Sequence, residues 1–335
     1  MIEIDGSAGG GQLLRSALSM AALTGEAVEM TGIRGDRPTP GLKRQHLAVV
    51  ELVAEVCDAT VSSVEVGTEA LTFEPGPIQP GEYAADIGTA GSVTLLFDAV
   101  LPLATAIDGP LSVTARGGTA VKWSPTAAHY RRTKLPLLRR RGLRATVEVA
   151  RPGFYPEGGG EATLWLAPAS CSAVDLTERG AREGVRVESL ASTDLEDGAV
   201  AERQAERATE RLENAGLPVV ERTVRYAEAD STGASLAVDL AYERGRAGFD
   251  ALGEPGKPAE DVADDAVEAA LRFEDGTAPV DRHTADQLLV FLALAGGRLR
   301  VPAVTDHVAT NRDLLAAFGF DLTIDREGDG AVLRG

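Results

Sequence analysis

Three segments of this 335-residue chain open in the same way, and this internal repeat is the feature that most limits its fold. Each has a polar or glycine-rich start and then an apolar helical run, at Gly11–Leu18, Gly91–Asp98 and Ala285–Leu292. A second helical pattern and several strand candidates follow each opening. A segment of this size cannot bury its apolar face alone, so neighbouring copies must share a core. We therefore predict an α+β fold of three repeated units, each with two helices packed on a four-stranded sheet.

Residues 184–275 differ from the rest of the chain in charge and in pattern. They hold 22 acidic and 10 basic residues. They also contain three strand candidates and two helical stretches of their own. We predict a small inserted α/β domain at 184–275, lying between the second and third units, and a repeat-built domain formed by 1–183 and 276–335.

The composition limits where this chain works. Its formal net charge is −18, and only 4 of its 33 cationic residues are lysine. An acidic, lysine-poor surface predicts a halophile with a very salty cytoplasm, because charge keeps a protein dispersed there. Charged residues interrupt every stretch long enough to span a membrane, and the N-terminus has no signal-peptide pattern. We therefore expect a cytoplasmic protein with no membrane contact. The chain has only two cysteines, so we expect no disulfide framework.

One segment is strongly basic. Residues 116–151 contain 10 basic residues and one acidic residue. The stripe includes Arg131, Arg132, Lys134, Arg139, Arg140, Arg141 and Arg144. Two interpretations stay open: a surface for nucleic acid, or a helix face that pairs with carboxylates elsewhere in the fold.

The stretch from Arg34 to His46 places four cations around a predicted helix start. Thr39 can cap this helix, and Pro40 fits its first position, where a missing N–H costs nothing. The positive end of a helix attracts anions. The four cations are Arg34, Arg37, Lys43 and Arg44. The pattern predicts a phosphate site, and the alternative is a solvated basic loop.

Glycine clusters form a second kind of motif. Asp5–Gln12 follows a short apolar strand and precedes a helix, and glycines there let backbone N–H groups approach a phosphate closely. It lacks the Gly-Lys-Ser/Thr ending of a P-loop. Similar clusters occur at Arg116–Thr119 and Pro156–Gly160. Each is as consistent with a tight turn as with a ligand loop.

Two of the four histidines lie at predicted helix starts. His307 lies between a strand and a helix, where loops commonly position reactive groups. A neutral imidazole attacks phosphorus without needing a separate base. His283 opens the segment His283–Gln287, which fits a nucleobase and ribose; the alternative is an N-terminal cap. No Cys/His spacing predicts zinc.

Together these motifs resemble the RNA 3'-terminal phosphate cyclase family, in its archaeal form. Single pieces are weak, but their order along nearly the whole chain is specific, and the insertion falls where the family carries its small extra domain. The matching pieces are Asp5-Gly6, Gly9–Ser16, Ile33-Arg34, Pro40–His46, Gly88–Ser92, Gly117–Thr119, Gly153–Gly160, Ala285–Leu288, His307 and Thr310-Asn311.

The resemblance implies a reaction and roles for particular residues. His307 would attack ATP and form a histidine–AMP intermediate, AMP would pass to an RNA 3'-phosphate, and the 2'-hydroxyl would close a 2',3'-cyclic phosphate. The partners would be ATP, a divalent metal such as Mg²⁺ and RNA with a 3'-terminal phosphate. By the same resemblance, the adenosine pocket would use His283, Thr284, Ala285, Asp286 and Gln287, with Asp98 near the nucleotide. Phosphates would be held by Arg15, Arg34, Arg37, Gln45 and His46.

Two departures from the family pattern leave the metal ligands unassigned. The first glycine loop is two residues shorter, so Ala8-Gly9 stands where the family usually has a glutamate. Asp98 stands where the family often has a glutamine. Two alternatives therefore accompany the enzyme: a non-catalytic cyclase-like RNA-binding protein for ribosome assembly, and a metabolic transferase on a related repeat fold. His307 argues against the first, because non-catalytic relatives lack the histidine. The oligomeric state and the identity of the RNA are not predicted.

Overall fold

Four four-stranded sheets organise the chain in a computed structural model that describes residues 1–328 and 330–335. Three of them belong to repeated units with the same topology. Each unit begins with two parallel strands joined by a helix, and two antiparallel strands complete its sheet after a second helical segment. The predicted α+β architecture of helices on four-stranded sheets is confirmed.

The first unit has the sheet order β1-β2-β4-β3. Its elements are β1 (Ile2–Asp5), α1 (Gly11–Thr24), β2 (Val28–Thr31), α2 (Arg44–Val56), β3 (Thr60–Val61) and β4 (Leu71–Glu74).

The second unit repeats this order as β5-β6-β8-β7. Its strands are β5 (Gly81–Asp86), β6 (Leu111–Gly117), β7 (Arg144–Arg151) and β8 (Gly160–Ala167). Its helices are α3 (Val93–Val100), a 3-10 turn (Leu101–Thr105), α4 (Ala127–His129), a π-helical turn (Tyr130–Lys134) and α5 (Leu135–Arg139).

We predicted that the insertion lies between the second and third units. The structure shows instead that it interrupts the third unit. The third unit begins with the three-residue strand β9 (Val174–Leu176), which precedes the insertion in the chain and pairs with a strand that follows it. The inserted elements are β10 (Arg182–Ser192), α6 (Val200–Asn214), β11 (Val219–Ala227), β12 (Ala234–Tyr242), β13 (Arg246–Leu252) and α7 (Ala259–Glu274). The third unit then resumes with α8 (Arg282–Ala295), β14 (Gly297–Val301), α9 (Asp306–Ala317), β15 (Thr323–Glu327) and β16 (Gly330–Arg334).

The three units and the insertion have separate hydrophobic cores. The helices and sheets of the three units share one core, in which α1 packs against α2, α3 and α9. The inserted sheet, ordered β11-β10-β12-β13, has its own core beneath α6 and α7. The division of the chain into domains at 184 and 275 stays a prediction. No helix among the described residues is long and apolar enough to cross a bilayer.

The predicted start of α2 is wrong by several residues. The helix begins at Arg44 with Lys43 as its N-cap, so Thr39 and Pro40 lie outside it. Gly41 explains the difference: its φ of 78° is left-handed, and its backbone packs directly on Gly67. The chain therefore cannot turn helical until it has passed Gly41.

Candidate active site

The start of α1 forms the floor of the site. Gly10 caps the helix without a side-chain hydrogen bond, which leaves N–H groups of the first turn free. A Cβ at Gly11 would overlap the His46 ring, and one at Gly10 would lie 3.3 Å from Arg37 Nη2. The glycines thus allow one imidazole and one guanidinium to pack against a helix N-terminus, where anions are favoured.

His46 is held in one chemical state by its surroundings. Its Nδ1 accepts a hydrogen bond from the Lys43 backbone N–H at 3.1 Å, at the first turn of α2. Burial, followed by the charges of Arg15, Arg34 and Lys43, lowers the pKa of His46 to about 3. The ring is therefore neutral, and because Nδ1 is an acceptor, the proton is on Nε2. That N–H is available as a donor beside Gly11.

Arg34 has a structural task. Its Nη1 donates to the carbonyl oxygens of Thr39 at 2.8 Å and Gly41 at 2.7 Å, and the residue is 8% exposed. Its own φ of 57° is left-handed, which is uncommon for a residue other than glycine. Arg34 therefore holds the loop in front of α2, while the role in phosphate binding that the resemblance implies stays a prediction.

The first unit concentrates cations that have no carboxylate partner. Residues 1–115 contain five cations and 15 carboxylates. None of the five forms an ion pair with any described Asp or Glu, although most other cations of the chain do. The five are Arg15, Arg34, Arg37, Lys43 and Arg44. Arg15 is only 9% exposed. The cost of desolvating a nearly buried guanidinium that forms no ion pair is offset when an anion binds to it.

His307 lies next to this cluster, in the first turn of α9. Its ring is exposed, and its pKa is lowered, first by partial loss of water and then by the charges of Arg37 and Arg15. Helix α1, which carries Arg15, packs against α9, which carries His307, so the imidazole and the arginines belong to one site. A lowered pKa keeps the ring neutral near pH 7, which is the nucleophilic form.

The start of α9 is fixed by a side chain from α8. Thr305 caps α9 by accepting from the Val308 N–H at 3.1 Å, and its own hydroxyl donates to Asp286 Oδ1 at 2.9 Å. Burial raises the pKa of Asp286 to about 6. Asp286 therefore positions the turn that carries His307, a role that sequence reasoning missed even though the Thr305 cap is a recognisable signal.

The start of α8 is capped by Asp281, not by His283. Asp281 Oδ1 accepts from the backbone N–H groups of His283 at 3.0 Å and Thr284 at 2.8 Å. His283 is exposed, and its pKa is lowered by burial of part of the ring and by nearby cations. The buried His129 approaches Thr284 Oγ1 with Nε2 at 3.3 Å. The capping interpretation of His283 is wrong.

Two further predicted site residues are tied into the protein itself. Gln45 Oε1 accepts from the Ser92 N–H at 3.0 Å and so links α2 to the loop before α3. Asp98 binds Lys134 Nζ at 2.5 Å, and the lysine side chain is 2% exposed. Lys134 also lies over the Tyr130 ring, 5.1 Å from its centroid. The charge of Asp98 reaches Arg15 and raises its pKa, against the larger lowering by burial.

The basic stripe is mostly paired, which favours the second interpretation. Arg131 and Arg132 both bind the buried Glu188 of the inserted sheet, at 2.7 and 2.5 Å. Other ion pairs join Lys122 to Glu254, Arg140 to Glu183, Arg151 to Asp230 and Arg116 to Glu161. The stripe therefore joins the second unit to the insertion and presents little free positive charge.

The described residues fit a nucleotide better than they fit a metal. Gln287 Oε1 and Asn311 Oδ1 are buried acceptors without a partner among the described residues. Such atoms suit the amino group of a purine, and the unpaired arginines suit its phosphates. No group of three or more His, Cys, Asp or Glu among these residues could hold a metal ion. Magnesium that accompanies a nucleotide is usually held by one or two carboxylates, waters and the phosphates themselves, so the divalent metal stays a prediction.

Comparison with known proteins decides the family. A sequence profile of the RNA 3'-terminal phosphate cyclase family matches residues 7–324. This chain belongs to that family. A curated cyclase of Halobacterium salinarum is 46% identical, covering 99% of each chain. The cyclase of Methanopyrus kandleri is 42% identical, and the match covers 95% of this chain and 93% of the relative. The cyclase of Ralstonia nicotianae is 40% identical, and the match covers 99% of this chain and 96% of the relative. The predicted family and the predicted type of enzyme are confirmed.

Proposed function

We propose that this protein uses ATP to convert an RNA 3'-terminal phosphate into a 2',3'-cyclic phosphate, with His307 as the nucleophile. The observation that carries the proposal is the pairing of a neutral imidazole with arginines that have no carboxylate partner. The imidazole can attack phosphorus, and the arginines can neutralise the phosphates on either side of the reacting bond. ATP and the RNA end are both substrates.

The first step transfers a nucleotide to the protein. An imidazole nitrogen of His307 attacks the α-phosphorus, the bond to the β-phosphate oxygen breaks, and pyrophosphate leaves with the electron pair. The ring then carries AMP through a P–N bond. Arg15 and Arg37 stabilise the charge that develops on the phosphates, and the first turns of α1 and α9 offer backbone N–H groups. His283 to Gln287 and Asp98 are proposed to lie around the adenosine.

The second and third steps use the RNA end. An oxygen of the 3'-phosphate attacks the AMP phosphorus, and the P–N bond breaks, which restores His307. The 2'-hydroxyl then attacks the 3'-phosphorus and loses its proton, and AMP leaves as the P–O bond breaks. AMP is a far better leaving group than the oxygen of an unactivated phosphate. Gln45, His46 and Arg34 are proposed to border the phosphates; the His46 Nε2–H is a neutral donor for them.

A labelling experiment tests the nucleophile. Incubation with ATP labelled at the α-phosphorus should leave acid-labile, alkali-stable AMP on the protein, and His307→Ala should abolish the label. His307→Asn is the polar control, and the melting temperature of both variants should match the parent because the ring is exposed. Label retained on the His307→Ala protein would place the nucleophile elsewhere.

The non-catalytic alternative makes the opposite prediction for the same experiment, because no labelled protein would form. The presence of His307 in the first turn of α9 is the observation against it. For location, we propose a salty cytoplasm, supported by the excess of 51 acidic over 33 basic residues.

A further inference from the structure

One loop outside the proposed active site exposes a large aromatic side chain. Residues 119–126 form a closed loop, because the Ala127 N–H donates to the Thr119 carbonyl at 2.7 Å. Trp123 lies within it and is 96% exposed. Its φ of 62° is left-handed, a conformation that costs a bulky residue energy and is found most often where function requires it. Tryptophan is rare in this chain, which has only two, and one of them is almost fully exposed.

The loop borders a cleft of about 320 Å³ against the end of β13 and the start of α7. An ion pair between Lys122 and Glu254 at 3.0 Å joins its two sides. Asp250 lies in the cleft wall; its Oδ2 accepts from the Thr126 N–H at 2.9 Å. Its Oδ1 is buried and has no partner among the described residues. The cleft thus combines an aromatic face with carboxylates, one of which has a buried oxygen without a partner.

These features suit a nucleobase and not a phosphate. A base can stack on an indole and donate an amino or imino N–H to a carboxylate oxygen. The two lysines that line the cleft, Lys122 and Lys257, are already paired with its carboxylates Glu254 and Asp265, and a phosphate would also meet Asp250. The ligand is therefore a base carried on a strand whose phosphates lie elsewhere. A single-stranded RNA has such bases beyond its terminal nucleotide.

The cleft is linked to the proposed active site by a short chain of contacts. Thr126, beside the cleft, accepts from the His129 N–H at 3.1 Å, and His129 in turn approaches Thr284 at the start of α8. Helices α8 and α9 pack against each other, and Asp286 of α8 binds Thr305 at the start of α9, so the two helix starts are close. The cleft and the proposed nucleophile therefore lie at the two ends of one chain of contacts.

We infer that the cleft beside Trp123 binds an unpaired base of the RNA strand whose 3'-phosphate enters the arginine site. This inference rests on the proposed function, and it adds an upstream base subsite to it. Every RNA base offers an N–H donor, so the subsite holds the strand without strong sequence preference.

Intrinsic fluorescence tests the subsite without any chemistry. Trp165→Phe leaves Trp123 as the only tryptophan, because the chain has two. A hexanucleotide with a 3'-hydroxyl, which cannot be cyclised, should quench this protein saturably, and ATP alone should not. Quenching by ATP at its working concentration would overturn the inference, because Trp123 would then contact the nucleotide. Absence of quenching by the hexanucleotide would overturn it as well.

Steady-state kinetics supply the second arm. Trp123→Ala should raise the KM for a hexanucleotide 3'-phosphate about tenfold, the effect of losing one stacked base. Its KM for a nucleoside 3'-monophosphate, which cannot reach the cleft, should change far less. Trp123→Phe should restore most of the loss, and Trp165→Ala, on the outer face of β8, is the matched control. Equal effects on both substrates would refute an upstream base. Failure of the histidine labelling leaves the fluorescence result standing, so the two proposals fail separately.

Discussion

Replacing His46 should remove one source of acid instability, and the size of the effect follows from its pKa. In the folded protein the pKa of His46 is about 3, whereas an unfolded histidine titrates near 6.5. Above pH 6.5 the ring is neutral in both states and the shift has no effect. As the pH falls below 6.5 the unfolded chain takes up a proton that the folded chain refuses. Stability is therefore lost towards acid, from pH 6.5 down to about 3.

The magnitude is about 1.4 kcal/mol for each pH unit below the unfolded pKa. At about pH 4.5 the parent protein should have lost roughly 2 to 3 kcal/mol through this residue alone. His46→Asn has no titrating group, and its side-chain oxygen can accept from the Lys43 N–H as Nδ1 does. The variant loses the packing of the ring against Gly11 at every pH. The test is therefore how the free energy of unfolding changes with pH, and not its absolute value.

Urea unfolding at a series of pH values measures this slope. The free energy of unfolding of the parent minus that of His46→Asn should stay constant above pH 6.5 and fall below it. Carboxylates that titrate in the same range, including Asp286, contribute to both proteins and cancel in the difference. Parallel curves from about pH 7.5 to 4.5 would refute the reasoning, because they would mean that His46 is solvated or protonated in the folded state.

Two other perturbations test the charges around the site. Lys134→Met should destabilise the fold by about 3 to 5 kcal/mol, because it leaves the Asp98 carboxylate buried without its partner. Urea unfolding measures this loss, and the double variant Lys134→Met/Asp98→Leu should recover much of it. A Lys134→Met protein as stable as the parent would contradict a buried ion pair. Arg37→Met should raise the pKa of His307, since the Arg37 charge lowers it, and so move the acid limb of the adenylylation rate to higher pH. Arg44→Met removes an equal charge from the same segment and is the control, and an identical shift in both variants would show a general field effect in place of a local contact.

The repeat could be predicted from the sequence, because each unit restates the same pattern of helix and strand in its own residues. What the sequence did not reveal was that the third unit begins before the insertion. The strand β9 is only three residues long, Val174–Leu176, and its partner follows the insertion, so no local pattern marks the start of the third unit. The start of α2 was missed for a similar reason. Thr39 and Pro40 carry a correct local signal, but Arg34 and Gly41 hold that segment in another conformation.

The residues of the site fall into two groups: those that a local motif predicts and those whose partners lie far away in sequence. His307, Arg15 and Arg37 could be proposed from motifs, because their chemistry is carried by their own side chains. The partners that position the site lie far away in sequence: Asp286 for Thr305 and Asp98 for Lys134. Spacing within one helix cannot reveal such pairs, since they arise only when units pack together.

The distribution of charge explains how an acidic protein can bind RNA in the salty cytoplasm that we propose. At about 1 M salt the screening length is roughly 3 Å, so a broad positive field would not attract the strand. The chain instead uses most of its cations in ion pairs and leaves those of residues 15–44, which lie in the first unit, without carboxylate partners among the described residues. Recognition then depends on contacts between an arginine and a phosphate at hydrogen-bond range, which screening weakens least. An aromatic face at Trp123 fits the same logic, because base stacking does not depend on net charge. It follows that the affinity for RNA should fall with salt only as steeply as a few phosphate contacts require.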